Sequence, residues 1–571
     1  MDGELTVKIA GEAGQGMKTI GMALCRVFRD AGLHVFANLD YMSRIRGGNN
    51  FFQIRAAGRP LETLRENADI LVCLDRPSIE RHEASVAASG RVVVDKEKFG
   101  LQRLGEKYSD IPFYRIAQEE GGSEIYINSA ACGIVACLAG IGIETVEKVL
   151  RGTFGDKEEE VVSRNVKVAR RAYEAAREKI RVPRPSARRS RPKAALLMNG
   201  NEAIALGAIH AGCRFYCAYP MTPSTSIMTT VARFADRFGI VVEQAEDEIA
   251  AVNMVIGASF AGARAMAATS GGGFALMQEG VSLAAMTETP LVVAEVQRPA
   301  PATGFPTRTE QADLDFVLHA GHGEFAKVVF TPGTIEECFA LTVRAFDLAD
   351  KYQIPVFILS DQHLADSIRN VRDFIGKTVR PGTHVLSREA SAQVKGYKRY
   401  ALTRSGVSPR ALPSWIDDVI YADSDEHTEE GHITEDGAVR VKMVAKRLFK
   451  KTALLQKEIE GPRAFQTEKA RTVFVGFGST CGVLKEAVAS ARNKRMGFIH
   501  LPQVWPFPAK RMTALLRGAK RVVTVENNAS GQLAKLITRE TARAVDGSIL
   551  KFDGRPFSVD ELGRRLLEEA R

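Results

Sequence analysis

The sequence predicts an α/β protein built from three doubly wound domains. Two patterns point there: short apolar, β-branched runs alternate with helical periodicities along most of the chain, and Gly- or Pro-rich turns follow several of the strand-like runs. The third observation is length. At about 100–200 residues per domain, 571 residues suit three or four domains. With 45% apolar and 26% charged residues, each domain can build a core, which excludes a disordered or fibrous chain.

Residues 4–10 read as a strand and Gly11-Glu12-Ala13-Gly14-Gln15-Gly16 as a Gly-rich turn. Residues 17–32 read as a helix ending in Gly, and 34–40 as a second strand. That is a strand–turn–helix–strand unit. Buried strands follow at 68–75 and 90–96. Ala130–Ile143 is nearly uncharged but shorter than the roughly 20 residues of a membrane span, so it reads as a buried helix. Residues 145–180 are charged and helical. Arg181–Lys193 has three prolines, six basic residues and no acid, the composition of an exposed linker. A second α/β region opens at Ala194, with a helix over 199–212 and a strand ending at Tyr219-Pro220. A strand over 241–244 precedes Glu246-Asp247-Glu248 and an apolar helix. RAMAATSGGG reads as a strand entering a Gly-rich turn, and TPLVVAEVQ and IPVFILSD as later strands. This alternation argues for a parallel sheet covered on both faces. Residues 376–465 read as polar and irregular. RTVFVGFGS, MGFIHLPQVWPFP and RVVTVENN mark a third α/β domain.

The net charge of +10 suggests at first a polyanionic partner. Its location argues otherwise. Arg164–Lys193 holds twelve Lys/Arg and two Glu, so the other 541 residues sum to zero. Only Tyr173 is aromatic within that stretch, which offers little for base stacking. A solvated basic tether is expected, with no nucleic-acid and no membrane partner. The eight cysteines are scattered without a CxxC pair, which favours free thiols and argues against an iron–sulfur cluster held by this chain. The acidic opening Met1-Asp2-Gly3-Glu4 runs into a strand with no basic-then-apolar leader, so a cytoplasmic location is expected.

Several residues sit where chemistry is expected. Glu248 leads into a nearly charge-free helix, where partial desolvation would raise its pKa and suit it to sharing a proton. The helix dipole alone also favours acids in a first turn. Thr222, between Pro220 and Pro223 at a strand end, is either a rigid hydroxyl at a ligand site or a helix cap. Arg298 and Arg308 lie in loops able to clamp a carboxylate, or form surface ion pairs. GEAGQG matches the dinucleotide pattern GxGxxG only in part but can seat a phosphate at a helix start. The stretch Asp425-Glu426-His427 through His432 to Asp436 is a weak metal candidate, better read as solvated acids.

Together, AYPMTPSTSI, the long run from EQAEDEIAAV to GGGFALMQEG, ETPLVVAEVQRPAPATGFPTRTEQADL and VENNASGQL resemble the α subunit of 2-oxoacid:ferredoxin oxidoreductases. GEAGQG, DYMSRIRGGNNFFQIR and the 127–180 helical region resemble the γ domain of the same enzymes, here fused in front of α. The resemblance covers about 1–370 and 470–571. It is strongest to the 2-oxoglutarate enzymes (2-oxoglutarate synthase). It implies a γ domain over 1–180, the basic linker over 181–193 and a thiamine diphosphate pyrimidine-binding domain over 194–375. A connecting segment over 376–465 and a transketolase C-terminal-like domain over 466–571 complete the chain. One departure is Gly272, where the family often has Pro.

The resemblance further implies thiamine diphosphate bound between two chains, with Glu248 hydrogen-bonding N1′ of the aminopyrimidine as the catalytic residue. Thr222 and Arg308, with Arg298 as second choice, would bind substrate. Tyr219, Pro220, Ser270 and Gly271 would help hold the cofactor. Gly14, Gln15 and Gly16, with Arg44 and Arg46, would face the phosphates of coenzyme A. The implied reaction is oxidative decarboxylation of 2-oxoglutarate with coenzyme A to succinyl-CoA and CO2, reducing ferredoxin, a step of the TCA cycle. Such enzymes hold Mg²⁺ and the diphosphate with Gly-Asp-Gly followed by Asn. This chain has no Gly-Asp-Gly, so no metal site is expected in it. A β subunit carrying Mg²⁺ and a [4Fe-4S] cluster is implied, in an (αβ)2 assembly. Alternatives are a pyruvate or branched-chain enzyme and a non-catalytic scaffold or regulatory paralogue.

Overall fold

The structure, a computed structural model, describes residues 3–43, 47–180, 196–372 and 382–570. The chain folds as two compact units. One is Met1–Met198 with Asp366–Asp373 and Phe557–Arg564; the other is Asn199–Ala365, Phe374–Pro556 and Arg565–Arg571. The linker 181–193, Arg44 and Arg46 lie outside the described residues.

In the first unit, the strand Glu4–Ala13 runs three residues past the end expected from sequence, through Gly11, before the helix Met17–Asp30. Gly16 precedes that helix at φ 72, a left-handed conformation that Gly adopts without a Cβ penalty. Parallel strands Ala68–Cys73, Val86–Val94 and Tyr108–Asp110 extend the sheet on one side. On the other side the sheet is not parallel, contrary to the doubly wound expectation for this region. Gly47–Ala57 lies between Glu4–Ala13 and His34–Asp40 and is antiparallel to both. Ile368–Val371 and Leu196–Met198 complete eight strands, again antiparallel. The helix Ile127–Leu138 is buried at every residue but Asn128, as its uniformly apolar sequence requires. Phe557–Arg564 is tied to this unit through Asp560, whose Oδ1 meets Arg65 Nη2 at 2.7 Å.

The second unit carries two sheets. The larger has the strand order Gln503–Trp505, Val328–Phe330, Pro355–Asp361, Leu291–Gln297, Ala265–Thr269, Phe215–Ala218, Val241–Gln244, all parallel except the first. Its central strands are buried on both faces, which explains their unbroken apolar runs. The smaller sheet orders Arg463–Phe465, Met496–Leu501, Thr472–Phe477, Arg521–Glu526 and Gly547–Leu550. Two readings are corrected here. The Gly271-Gly272-Gly273 turn is the start of a short helix, Gly271–Leu276. The segment 376–465 is not irregular throughout, because Gly437–Leu455 is helical, with a π-helical stretch over Ala445–Lys450. There Lys446 and Lys451 are buried against the equally buried Glu288. A polar sequence conceals a helix when its charges are consumed internally.

Candidate active site

Parallel sheets gather loops at the carboxyl ends of their strands. In the second unit those ends are Ala218, Gln244, Thr269, Gln297 and Asp361. The sequence candidates Tyr219, Pro220, Thr222, Glu248, Ser270, Gly271, Arg298 and Arg308 all lie in or just beyond the loops that follow the first four.

Glu248 is the first residue of the helix Glu248–Phe260. Asp247 is its cap, accepting from Ala250 N at 2.7 Å, so the dipole accounts for Asp247 and leaves Glu248 for other work. Glu248 is 3% exposed. Thr269 Oγ1 donates to its Oε1 at 3.4 Å. Burial raises the pKa of Glu248, while the bonds it accepts and the charge of Arg298 oppose the rise. A Cβ at Gly273 would overlap both Glu248 Oε1 and Thr269 Oγ1, so only glycine lets the backbone pack this closely against the two groups. The hydroxyl of Ser270 is buried without a hydrogen-bond partner among the described residues.

Thr222 is half-buried and is not the helix cap; Ser224 occupies that position before Thr225–Phe238. The Thr222–Pro223 peptide is cis. Arg298 Nη1 donates to the Thr222 carbonyl at 2.6 Å. Arg298 thus joins the Thr222 turn to the electrostatic surroundings of Glu248, although the sequence ranks it behind Arg308. Arg308 is half-buried in a turn closed by its own N–H to Phe305 O at 3.0 Å and packs beside Gly554. Tyr219 is 40% exposed. The loop carrying Arg308 is held by Gln311. Its N–H donates to Asn527 O at 2.6 Å, and Asn528 Nδ2 donates to Gln311 O at 3.1 Å. That grip gives VENNASGQL its place beside the site.

Sequence reasoning missed Thr269, Glu295 and Asp313. A lone acid inside the apolar strand TPLVVAEVQ was the available signal for Glu295.

In the first unit, Gly14, Gln15 and Gly16 line a cavity of about 520 Å³ with Thr19, Tyr114 and Asn128. Asn128 Oδ1 is buried there without a hydrogen-bond partner among the described residues. The acidic stretch near 425–436 is spent on internal contacts. His427 packs against Tyr400 with the rings tilted by 39°, its ring nitrogens near the Thr428 and Met286 carbonyls, and Glu426 is paired with Arg440 and Arg447. Among the described residues no cluster of His, Cys, Asp or Glu is arranged for a metal, and no helix is long and apolar enough to cross a membrane. All eight cysteines are buried, and none is held in a disulfide among the described residues.

Comparison with known proteins places these features. Residues 206–446 match the family described as pyruvate flavodoxin/ferredoxin oxidoreductase, thiamine diphosphate-binding. Residues 6–175 match pyruvate ferredoxin/flavodoxin oxidoreductase, and 470–562 match pyruvate:ferredoxin oxidoreductase core domain II. The chain is 30% identical to the 2-oxoacid:ferredoxin oxidoreductase subunit alpha of a Sulfolobus species, over 98% of this chain and 96% of that one. It is 34% identical to the 2-oxoglutarate synthase subunit KorA of Methanothermobacter thermautotrophicus, over 65% of this chain and 98% of that one. A solved structure of 2-oxoglutarate:ferredoxin oxidoreductase from Magnetococcus marinus, with 2-oxoglutarate, coenzyme A and succinyl-CoA bound, superposes with a TM-score of 0.92. It is 31% identical, and each chain is covered completely.

Proposed function

The chain belongs to the 2-oxoacid:ferredoxin oxidoreductase family, and on that premise we propose that it is the fused γ–α subunit of an enzyme that oxidises 2-oxoglutarate. The products are succinyl-CoA, CO2 and reduced ferredoxin. The observation that carries this reading is Glu248: a buried carboxyl of raised pKa, held by Thr269 and packed against the backbone at Gly273. Those residues fit the aminopyrimidine end of thiamine diphosphate. When bound, that cofactor supplies an activated carbon that adds to the 2-oxoacid carbonyl and permits loss of CO2. Glu248 holds a proton toward the pyrimidine N1′, with Thr269 fixing the carboxyl. The Thr222 turn and the guanidinium groups of Arg298 and Arg308 bind the substrate carboxylates, through paired charge-assisted hydrogen bonds where geometry allows. Tyr219, Pro220, Ser270 and Gly271 shape the cofactor's surroundings.

The chain lacks Gly-Asp-Gly and clustered cysteines. A β subunit supplies the Mg²⁺–diphosphate site and the [4Fe-4S] cluster, in an (αβ)2 complex of the cytoplasm. Coenzyme A approaches the Gly14-Gln15-Gly16 turn, where backbone N–H groups at a helix start favour a phosphate-bearing ligand. Arg44 and Arg46, which follow His34–Asp40 in the sequence, supply the positive charge for the phosphates in this reading. A second reading, a broader 2-oxoacid substrate range, is favoured by the unrestricted name of the full-length Sulfolobus relative.

The experiment is to purify the chain alone and with its β subunit and to assay coenzyme A-dependent ferredoxin reduction across a panel of 2-oxoacids. Turnover with the pair alone, and fastest on 2-oxoglutarate, is expected. Turnover by the lone chain overturns the divided site, and preference for pyruvate overturns the substrate.

A further inference from the structure

Glu295 sits inside the central strand Leu291–Gln297 and is fully buried. Neither of its carboxyl oxygens receives a hydrogen from any donor among the described residues. The polar group it meets is the carboxyl of Asp313, whose Oδ2 also lacks a donor. Asp361, on the neighbouring strand, adds negative field, but its own oxygens accept from Gln311, Leu364 N and Ser479 N. Two buried acceptors facing each other cannot both be satisfied as carboxylates. A single proton between them makes one a donor and removes one of two buried charges.

We propose that Glu295 and Asp313 share one proton, Glu295 holding it and Asp313 keeping the negative charge, and that the pair positions Arg298 in the active site. The existence of the pair is independent of the function proposed above; its effect on turnover rests on that reading. The charged groups facing the pair are Arg298, Asp361 and Glu310. Arg298 lies between Asp313 and Glu248 electrostatically, and its Nη1 holds the Thr222 carbonyl. One negative charge on the pair balances the guanidinium. With none, the guanidinium's charge falls on Glu248 alone and opposes the proton that Glu248 must hold. Burial fits this division, raising Asp313 to about 6 and Glu295 well above the usual carboxylate range.

The test is infrared spectroscopy of the full chain purified with its partner subunit, at neutral pH. A protonated-carboxyl C=O band is expected in the wild type, lost in Glu295→Gln and shifted but retained in Asp313→Asn. A band unchanged in Glu295→Gln overturns the proposal. Should Glu295→Gln fail to fold, an unshifted band in Asp313→Asn overturns it instead. The second readout is the pH profile of kcat/KM. Its alkaline limb is expected to move to lower pH in Asp313→Asn, because Arg298 then lowers the pKa of Glu248, which must keep its proton. An unmoved limb overturns the positioning role. A band behaving as expected in a complex that turns over no 2-oxoacid supports the pair and counts against the enzymatic reading.

Discussion

The hydroxyl of Thr269, at the end of one central strand, donates to Oε1 of Glu248, the first residue of the preceding helix, at 3.4 Å. This contact fixes a carboxyl that would otherwise have rotamer freedom at a helix start. It also explains why a glycine stands at 273: a side chain there would occupy the volume of both groups. The proposed chemistry depends on that carboxyl being buried, oriented and able to keep a proton.

Gly273→Ala should therefore lower kcat while leaving the fold intact. The added methyl must displace the Glu248 carboxyl by a fraction of an ångström to an ångström, and misplacement on that scale costs roughly a hundredfold. Steady-state ferredoxin reduction, with circular dichroism to confirm folding, checks this.

Glu248→Gln should cost activity and yet raise stability. Burial favours the protonated form in the folded state, so Glu248 binds its proton more tightly folded than unfolded. Stability then declines as pH rises from its ordinary value of 4.5 toward the raised folded value, and the amide escapes that decline. Thermal melts of both proteins at neutral pH should place the Gln variant higher.

His500 and Glu337 meet at 2.8 Å in the second unit. Burial disfavours charge on both. For His500, Cys481 and Glu337 outweigh it and raise the pKa from 6.5 to about 10. For Glu337, His500 and Arg463 lower it to about 2. The imidazolium contribution is thus complete below 6.5 and is lost as pH rises through about 10. The Glu337 contribution is present above 4.5 and is lost as pH falls toward about 2. Melting temperature should fall on the alkaline side in the wild type and fall less steeply in His500→Gln.

Arg55 is 1% exposed and pairs with Glu4, Nη2 to Oε1 at 2.7 Å, across two neighbouring strands of the eight-stranded sheet. Arg55→Ala leaves Arg59 and Arg65 on the Glu4 carboxylate but removes the donor to the buried Thr63 carbonyl, and should cost about 1–3 kcal/mol locally. Because the chain has two units, hydrogen exchange of Glu4–Ala13 is a better measure than a single melting transition.

Much of this molecule could be read from residue order. Val241–Gln244 and His34–Asp40 are strands over the very residues their β-branched patterns indicate, and Asp247-Glu248 does open an apolar helix. What was less legible is non-local. The antiparallel insertion of Gly47–Ala57 beside Glu4–Ala13 depends on pairing that no local pattern encodes. The helix over Gly437–Leu455 is hidden because its lysines and arginines are neutralised by residues far along the chain, such as Glu288 and Glu426. At the site, Glu248 announced itself as an acid ahead of an apolar helix. Thr269 and Asp313 gain their partners only when segments distant in sequence are placed side by side.

The central claim is that Glu248 performs the proton chemistry of a 2-oxoacid oxidation completed by a partner subunit. The most direct measurement is 2-oxoglutarate- and coenzyme A-dependent ferredoxin reduction by the assembled complex carrying Glu248→Ala. A fall of about 10²–10⁴-fold in kcat, with the complex still assembled, is predicted from the usual worth of positioned acid–base groups. Turnover at the wild-type rate by the assembled variant would contradict the account.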